Sequence, residues 1–308
     1  MVAAVAGRGY DGAMTRDISG RRATLYGVAA IAMWAGLALL TVATGAIPPF
    51  QLVAMTFAIG GLCGLGVILA SGRSVVAAFH WPWRVWCLGI FGLFGYHFLY
   101  FTALRLAPPA EANLINYLWP LLIVLLAAPL AGERLRWWHV AGAAGGFAGV
   151  AVLAFGRGDL AFSGSHWVGY LAALGCAFAW SIYSVLGRRF GTVPTDAIAG
   201  YCVATSVLAT FAHLALETTV VPAGPAVWLA LAGLGVMPVG AAFYLWDVAV
   251  KRGDIRALGA MGYATPVLST GLLVAAGEAS ASWNLLVAAA LVVGGALLAG
   301  RDLWWPKA

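Results

Sequence analysis

Residues 117–133 read YLWPLLIVLLAAPLAGE, and residues 263–278 read YATPVLSTGLLVAAGE. Both open on Tyr, place Pro three residues later, and close on Gly-Glu after an apolar run. Tyr117 stands 146 residues before Tyr263, and Pro120 the same distance before Pro266. That offset also carries Trp34 onto Trp180, the turn GAIP (45–48) onto GTVP (191–194), and HFLY (97–100) onto FYLW (243–246). The second Gly-Glu arrives one residue early, as a single gap after the prolines explains. Matches at Trp and Pro, rather than at abundant Ala or Leu, mark an internal duplication. The fold is therefore expected to have two similar halves.

The composition fixes the solvent. Of 308 residues, 63% are hydrophobic and 9% charged, against roughly 25% charged in soluble domains. Such a chain belongs in lipid, where only helix bundles and closed barrels satisfy their backbones. The apolar runs are about 20 residues long, the length of a spanning helix. Ten are expected, over 24–45, 50–70, 83–106, 109–130, 137–156, 167–187, 196–216, 226–249, 255–277 and 283–300. Five spans per half is an odd number, so the second half enters from the opposite face. The expected fold is an all-α integral membrane protein of two inverted five-helix repeats. Residues 1–23 form an N-terminal tail, 24–156 the first repeat, 157–166 a linker, 167–300 the second repeat and 301–308 a C-terminal tail. The first 23 residues hold no apolar stretch, which argues against a cleaved signal peptide.

With the N-terminus in the cytoplasm, fifteen of the seventeen Lys and Arg fall on the cytoplasmic side. Only Arg105 and Arg157 fall outside. This is the positive-inside pattern, and it puts both termini in the cytoplasm. The net charge of +6 then reflects topology and contact with membrane lipid; no nucleic-acid partner is implied. Cys63, Cys87, Cys176 and Cys202 lie in four different spans and read as small buried hydrophobes, without a disulfide or zinc pattern. His80, His139, His166 and His213 sit near span ends, where solvation accounts for them. No metal or cofactor is expected, and the chain is expected to act as a monomer.

Each half resembles an EamA repeat of the drug/metabolite transporter superfamily. The likeness rests on the Trp of each half's first helix, on YFTALRLAPPAEANLINYLWPLLIVLLAAPLAGERL (100–135) with the Gly-rich helix after it, and on YLWDVAVKRGDIRALGAMGYATPVLSTGLLVAAGE (244–278). It runs from about residue 24 to 301. Within the superfamily, the HFLY helix and its aromatic company look most like the aromatic amino acid exporters. The resemblance implies a multi-pass transporter of the inner membrane that works by alternating access, and no enzyme.

The residues narrow the cargo independently. Charges inside a membrane are costly and usually functional, and no Lys or Arg lies mid-span here. That disfavours phosphorylated cargo. The first helix, VAAIAMWAGLALL (28–40), lacks a carboxylate, which disfavours dications. A neutral or zwitterionic small molecule remains, with an aromatic amino acid the best fit to the rings. Tyr96 and Tyr100 share a helix face, with His97 beside them. Asn113, Asn116, Tyr117 and Pro120 form one stripe on the next helix. Facing stripes around a wet cavity would satisfy their polar groups; an internal hydrogen-bonded network would too. Trp34, Trp119, Trp180 and Trp246 lie within spans, where a buried indole N–H needs a partner. With Tyr183 and Tyr244 they complete the candidate substrate site. Tyr96, His97 and Tyr100 are expected in the outer half of their span. Their counterparts Phe243, Tyr244 and Trp246 are expected in the inner half, so that the two clusters line opposite ends of one pathway. His97 serves either as a carboxylate-binding or relaying cation or as a neutral donor. Pro120 and Pro266 should kink their helices and act as hinges. Glu133 and Glu278 are expected to cap or to bridge to the next helix.

Other functions leave different traces. A broader drug or metabolite exporter would take cationic dyes. A membrane-embedded enzyme needs a nucleophile–base or metal constellation, and the scattered histidines offer none. A channel would show flux without saturation.

Overall fold

The computed structural model describes residues 19–156 and 160–304. Most of the N-terminal tail, three linker residues and the last four residues lie outside the described residues; with them go Arg8, Arg16, Arg157, Trp305 and Lys307. The described chain is helical throughout. Nine helices among the described residues are long and apolar enough to cross a membrane: α1 (Gly20–Ala43), α2 (Pro49–Ala70), α3 (Trp83–Leu106), α4 (Pro109–Ala131), α5 (Trp137–Phe155), α6 (Gly164–Phe190), α7 (Ala197–Leu216), α8 (Pro225–Arg252) and α9 (Ile255–Ala275). A shorter apolar helix follows, α10 (Trp283–Ala299). Its 17 residues span about 26 Å at 1.5 Å per residue.

Local chemistry sets the ends. Pro49, Pro109 and Pro225 occupy the first position of their helices, where the missing N–H costs nothing. The Asp254 carboxylate accepts from the backbone N–H of Arg256 and Ala257 and starts α9. Gly132, at φ 73°, ends α4 in the left-handed conformation that glycine tolerates best.

The packing repeats with the sequence. Helix α1 lies against α8, and α3 against α6; α2 pairs with α7, α5 with α10, and α4 crosses α9. Exchanging the two halves maps this set of pairs onto itself. The tightest pair is α5–α10. A Cβ at Gly142 would lie 2.4 Å from the carbonyl oxygen of Gly295, and one at Gly295 would lie 2.4 Å from that of Gly142. In lipid, helices associate through such close packing rather than by escaping water.

Two pairs of irregularities recur between the halves, the first at the 146-residue offset and the second within one residue of it. Helix α3 contains one wide turn of π type over Phe91–Gly95, and α8 contains its counterpart over Met237–Ala241. Helices α4 and α9 are each broken: α4 between Asn116 and Trp119, α9 between Met261 and Ala264. Pro120 and Pro266 therefore do not kink a continuous helix. They sit in the first turn of a new segment that starts after a break.

Other expectations need correcting. His139 is fully buried; it accepts from the backbone N–H of Arg136 and faces Asp302 at 3.3 Å. His213 is buried between Glu217, at 2.9 Å, and Thr219, at 2.8 Å. Neither owes its place to solvation. Cys63 and Cys87 are exposed on the protein surface, whereas Cys176 and Cys202 are buried. At helix starts, Trp83, Trp137, Trp167, Trp228 and Trp283 are exposed. Trp138 instead lies between the guanidinium groups of Arg136 and Arg301.

Candidate substrate site

Four indoles meet where α1, α4, α6 and α8 converge. Ring centroids lie 5.4 Å apart for Trp34 and Trp180, 5.1 Å for Trp34 and Trp246, and 6.1 Å for the stacked pair Trp180 and Trp246. Trp119 closes the group edge-on, 6.5 Å from Trp180 and 6.2 Å from Trp246. All four are buried. Two indole N–H groups find partners inside the protein. Trp34 donates to the carbonyl of Pro238 at 3.0 Å, inside the wide turn of α8, and Trp246 donates to the Ser184 hydroxyl at 3.0 Å. The Ser181 hydroxyl lies 2.9 Å from the Trp119 carbonyl and 2.6 Å from that of Ala177, which ties α4 to α6 beside the break.

A second layer lies against the indoles. The Tyr96 ring is 5.6 Å from Trp180 and stacks on Tyr100 at 6.1 Å. Tyr183 lies 5.3 Å from Trp180. The polar groups of this layer bond to one another. Tyr100 donates to the Asn113 side-chain oxygen at 2.7 Å, and Asn116 donates to the Tyr96 hydroxyl at 3.2 Å while accepting from the Cys176 thiol at 3.1 Å. Tyr96, His97, Tyr100, Asn113 and Tyr117 are half-buried, unlike the indoles beneath them. The two stripes thus face each other as a hydrogen-bonded network that keeps part of its surface accessible. Of the two alternatives, these bonds are the internal network.

His97 lies at the edge of this layer. Its Nδ1 is 2.7 Å from the Leu93 carbonyl, so Nδ1 carries the proton. The ring stands 5.0 Å from Phe57 and 5.2 Å from Tyr96. Phe57 continues the contact to Phe243 at 5.5 Å. The cluster around His97 and the one around Trp246 are therefore joined through Phe57 and Phe243 rather than separated by a length of path.

The structure leaves one candidate apart. The Tyr244 hydroxyl reaches the Gly60 carbonyl at 3.4 Å, and its ring packs beside Ile68, Ala78 and Ala199 between α2 and α7. It alternates with Phe243 and Trp246 on α8 and points to the other side. Sequence reasoning overlooked Phe57, Ser181 and Ser184. A lone Phe or Ser in an apolar span carries no periodic signal; only knowledge of which indole needs a partner singles out Ser184.

Comparison with known proteins decides the family. The profile of the EamA-like transporter family matches residues 21–155 and again 167–301. The chain belongs to the EamA-like transporter family. It is 55% identical over 278 residues to the aromatic amino acid exporter YddG of Ancylobacter novellus, covering 90% of this chain and 96% of that one. It is 24% identical over 292 residues to the protein of the same name from Salmonella typhimurium, covering 91% and 97%. A solved crystal structure, 55% identical, superposes with a TM-score of 0.88 over 92% of this chain and 99% of that one. The two named relatives are exporters of a transporter family, not enzymes, and the chain is a multi-pass membrane protein of that family.

Proposed function

We propose that the chain exports aromatic and other hydrophobic amino acids across the inner membrane by alternating access. The observation that carries this reading is the floor of four indoles beneath a half-buried Tyr–His–Asn face, at the junction of the two repeats. Repeat junctions near the midplane are where inverted-repeat transporters bind cargo. Flat rings suit an aromatic side chain by offset or edge contacts. The Tyr and Asn groups suit a zwitterion without a buried countercharge.

The remaining elements of the proposal fit together. Helix α10 serves as the tenth span, and the two quintets are inverted about an axis in the membrane plane. The arginine-rich end, where α1 begins and Leu303 lies, faces the cytoplasm under the positive-inside rule. The protein works as a monomer in lipid. Of the candidates, Trp34, Tyr96, His97, Tyr100, Asn113, Asn116, Tyr117, Trp119, Trp180, Tyr183 and Trp246 form the site. Pro120 and Pro266 mark the hinges, where a broken helix bends at low cost.

The test is counterflow in proteoliposomes with labelled Phe, Trp, Thr and a cationic dye. Phe and Trp should be exchanged in preference to Thr, and the dye excluded. Trp180→Ala should weaken Phe exchange about tenfold, the worth of roughly 1.4 kcal/mol of ring contact, measured per folded protein because emptying this buried place also destabilises the fold. Preference for the dye would overturn the reading in favour of a drug exporter.

A further inference from the structure

The two Gly-Glu motifs end differently. Glu278 is exposed. Glu133 lies 3.0 Å from Arg188 at the end of α6 and 3.7 Å from Arg256 at the start of α9. Arg188 also donates to the carbonyls of Gly253, at 2.7 Å, and Val250, at 3.3 Å. Arg256 holds Asp254 through two hydrogen bonds of 3.0 and 3.1 Å. One carboxylate thus ties the ends of α4, α6, α8 and α9 together at the arginine-rich end. The positions that match Arg188 and Arg256 in the first half are Val42 and Ala110. The opposite end therefore has no ion-pair latch at the equivalent place.

Between these groups lies a cleft of about 400 Å³, lined by Arg21, Glu133, Arg188, Arg252, Asp254 and Arg256. Four guanidinium groups face two carboxylates, and both oxygens of Asp254 are already engaged. The cleft thus holds positive charge in excess. The Arg188 and Glu133 side chains are 28% and 21% exposed, within reach of a solute. A guanidinium binds a carboxylate through a two-pronged pair that a single charge elsewhere does not match.

We propose that this cleft is a docking site for the α-carboxylate of the cargo, and that docking opens the latch. A zwitterion replaces the ion pair on both sides at once. Its carboxylate takes the place of Glu133 on Arg188, and its ammonium group takes the place of Arg188 on Glu133. No charge is left unpaired, so the helix ends separate at small cost. A solute with an ammonium but no carboxylate leaves Arg188 unmatched and does not open the cleft. The inference rests on the export reading for its direction, cytoplasm to cleft to indoles.

The experiment reads opening directly. Ala127 is fully buried on α4 between Trp119 and Glu133. A cysteine placed there (Ala127→Cys) is labelled by a membrane-impermeant maleimide from the arginine-rich side, with the parent protein as background. Saturating Phe should speed labelling at least about threefold, and phenylalaninamide should not. Glu133→Gln should label fast without any solute, and Arg188→Gln should label fast and ignore Phe. Equal acceleration by Phe and the amide, no response to Phe, or slow labelling of Glu133→Gln would each overturn the proposal. Phe counterflow is measured in the same preparation. A cleft that answers to Phe in a protein that moves none keeps the latch and discards the export reading; a protein that exchanges Phe without any Phe-driven labelling does the reverse.

Discussion

The indole N–H of Trp246 donates to the Ser184 hydroxyl at 3.0 Å in a place where neither side chain reaches solvent. Trp246 belongs to the second half's third helix and Ser184 to its first, so the bond fixes the angle between them at the indole floor. Ser184→Ala removes the acceptor and strands a buried N–H. A loss of about 1–3 kcal/mol is expected, the cost of an unmatched buried donor. Thermal unfolding in detergent should show it, and Ser184→Thr, which keeps the hydroxyl, should recover most of it.

Gly92 lies in the wide turn of α3, against the ring of Tyr183. A Cβ there would stand 2.2 Å from that ring. Gly92→Ala therefore displaces Tyr183, whose ring packs 5.3 Å from Trp180. Overpacking of this kind costs about 1–3 kcal/mol. The change should also weaken Phe exchange, because the displaced ring reaches the site. Gly66, with open space around its Cβ position, is the control: Gly66→Ala should leave both stability and exchange at the parent level.

The duplication was readable because Trp, Tyr and Pro recur at one spacing, and these residues are rarely interchangeable. The helix bounds were readable because lipid demands unbroken apolar runs. The wide turns at Phe91–Gly95 and Met237–Ala241 were not, since one extra residue per turn leaves an apolar run still apolar. The breaks before Pro120 and Pro266 were misjudged for a related reason: a proline in a spanning run signals either a kink or a restart. The clusters of His97 and Trp246 looked far apart because the expected inversion of the halves puts equivalent residues on opposite sides of the midplane. Large rings close that distance, and Phe57 bridges the remainder.

The Asp254 carboxylate links the cap of α9 to the ion pairs at the arginine-rich end. Burial alone would raise its pKa, but the hydrogen bonds and charge of Arg256, with two backbone N–H groups, hold it below the usual carboxylate range. A folded-state pKa below the unfolded one gives stability that is present above the unfolded pKa of about 3.9 and lost as pH falls through the folded value. Asp254→Asn, which keeps a capping oxygen but loses the charged pair with Arg256, should therefore be less stable than the parent at neutral pH by about 1 kcal/mol. The gap between the two proteins should narrow once the pH drops below about 4. Unfolding midpoints measured across that range check the sign; a gap that widens on acidification would contradict it.

The break in α4 is held from the other half. The backbone N–H of Leu121, in the first turn after the break, donates to the Tyr263 hydroxyl at 3.2 Å, and Tyr263 is fully buried in the break of α9. One broken helix thus caps the other. Tyr263→Phe leaves the ring in place but takes away the acceptor, at a cost of about 1–3 kcal/mol for an unmatched buried N–H. Pro120→Ala acts differently, because alanine supplies an N–H and lets the helix continue through Tyr117 and Leu118. If the breaks serve as hinges, Pro120→Ala should be at least as stable as the parent yet exchange Phe several-fold more slowly. Tyr263→Phe should lose stability first, and any change in exchange should follow from that loss. Parallel measurements of unfolding and of Phe exchange separate the two effects, and unchanged exchange in Pro120→Ala would remove the hinge role from that break.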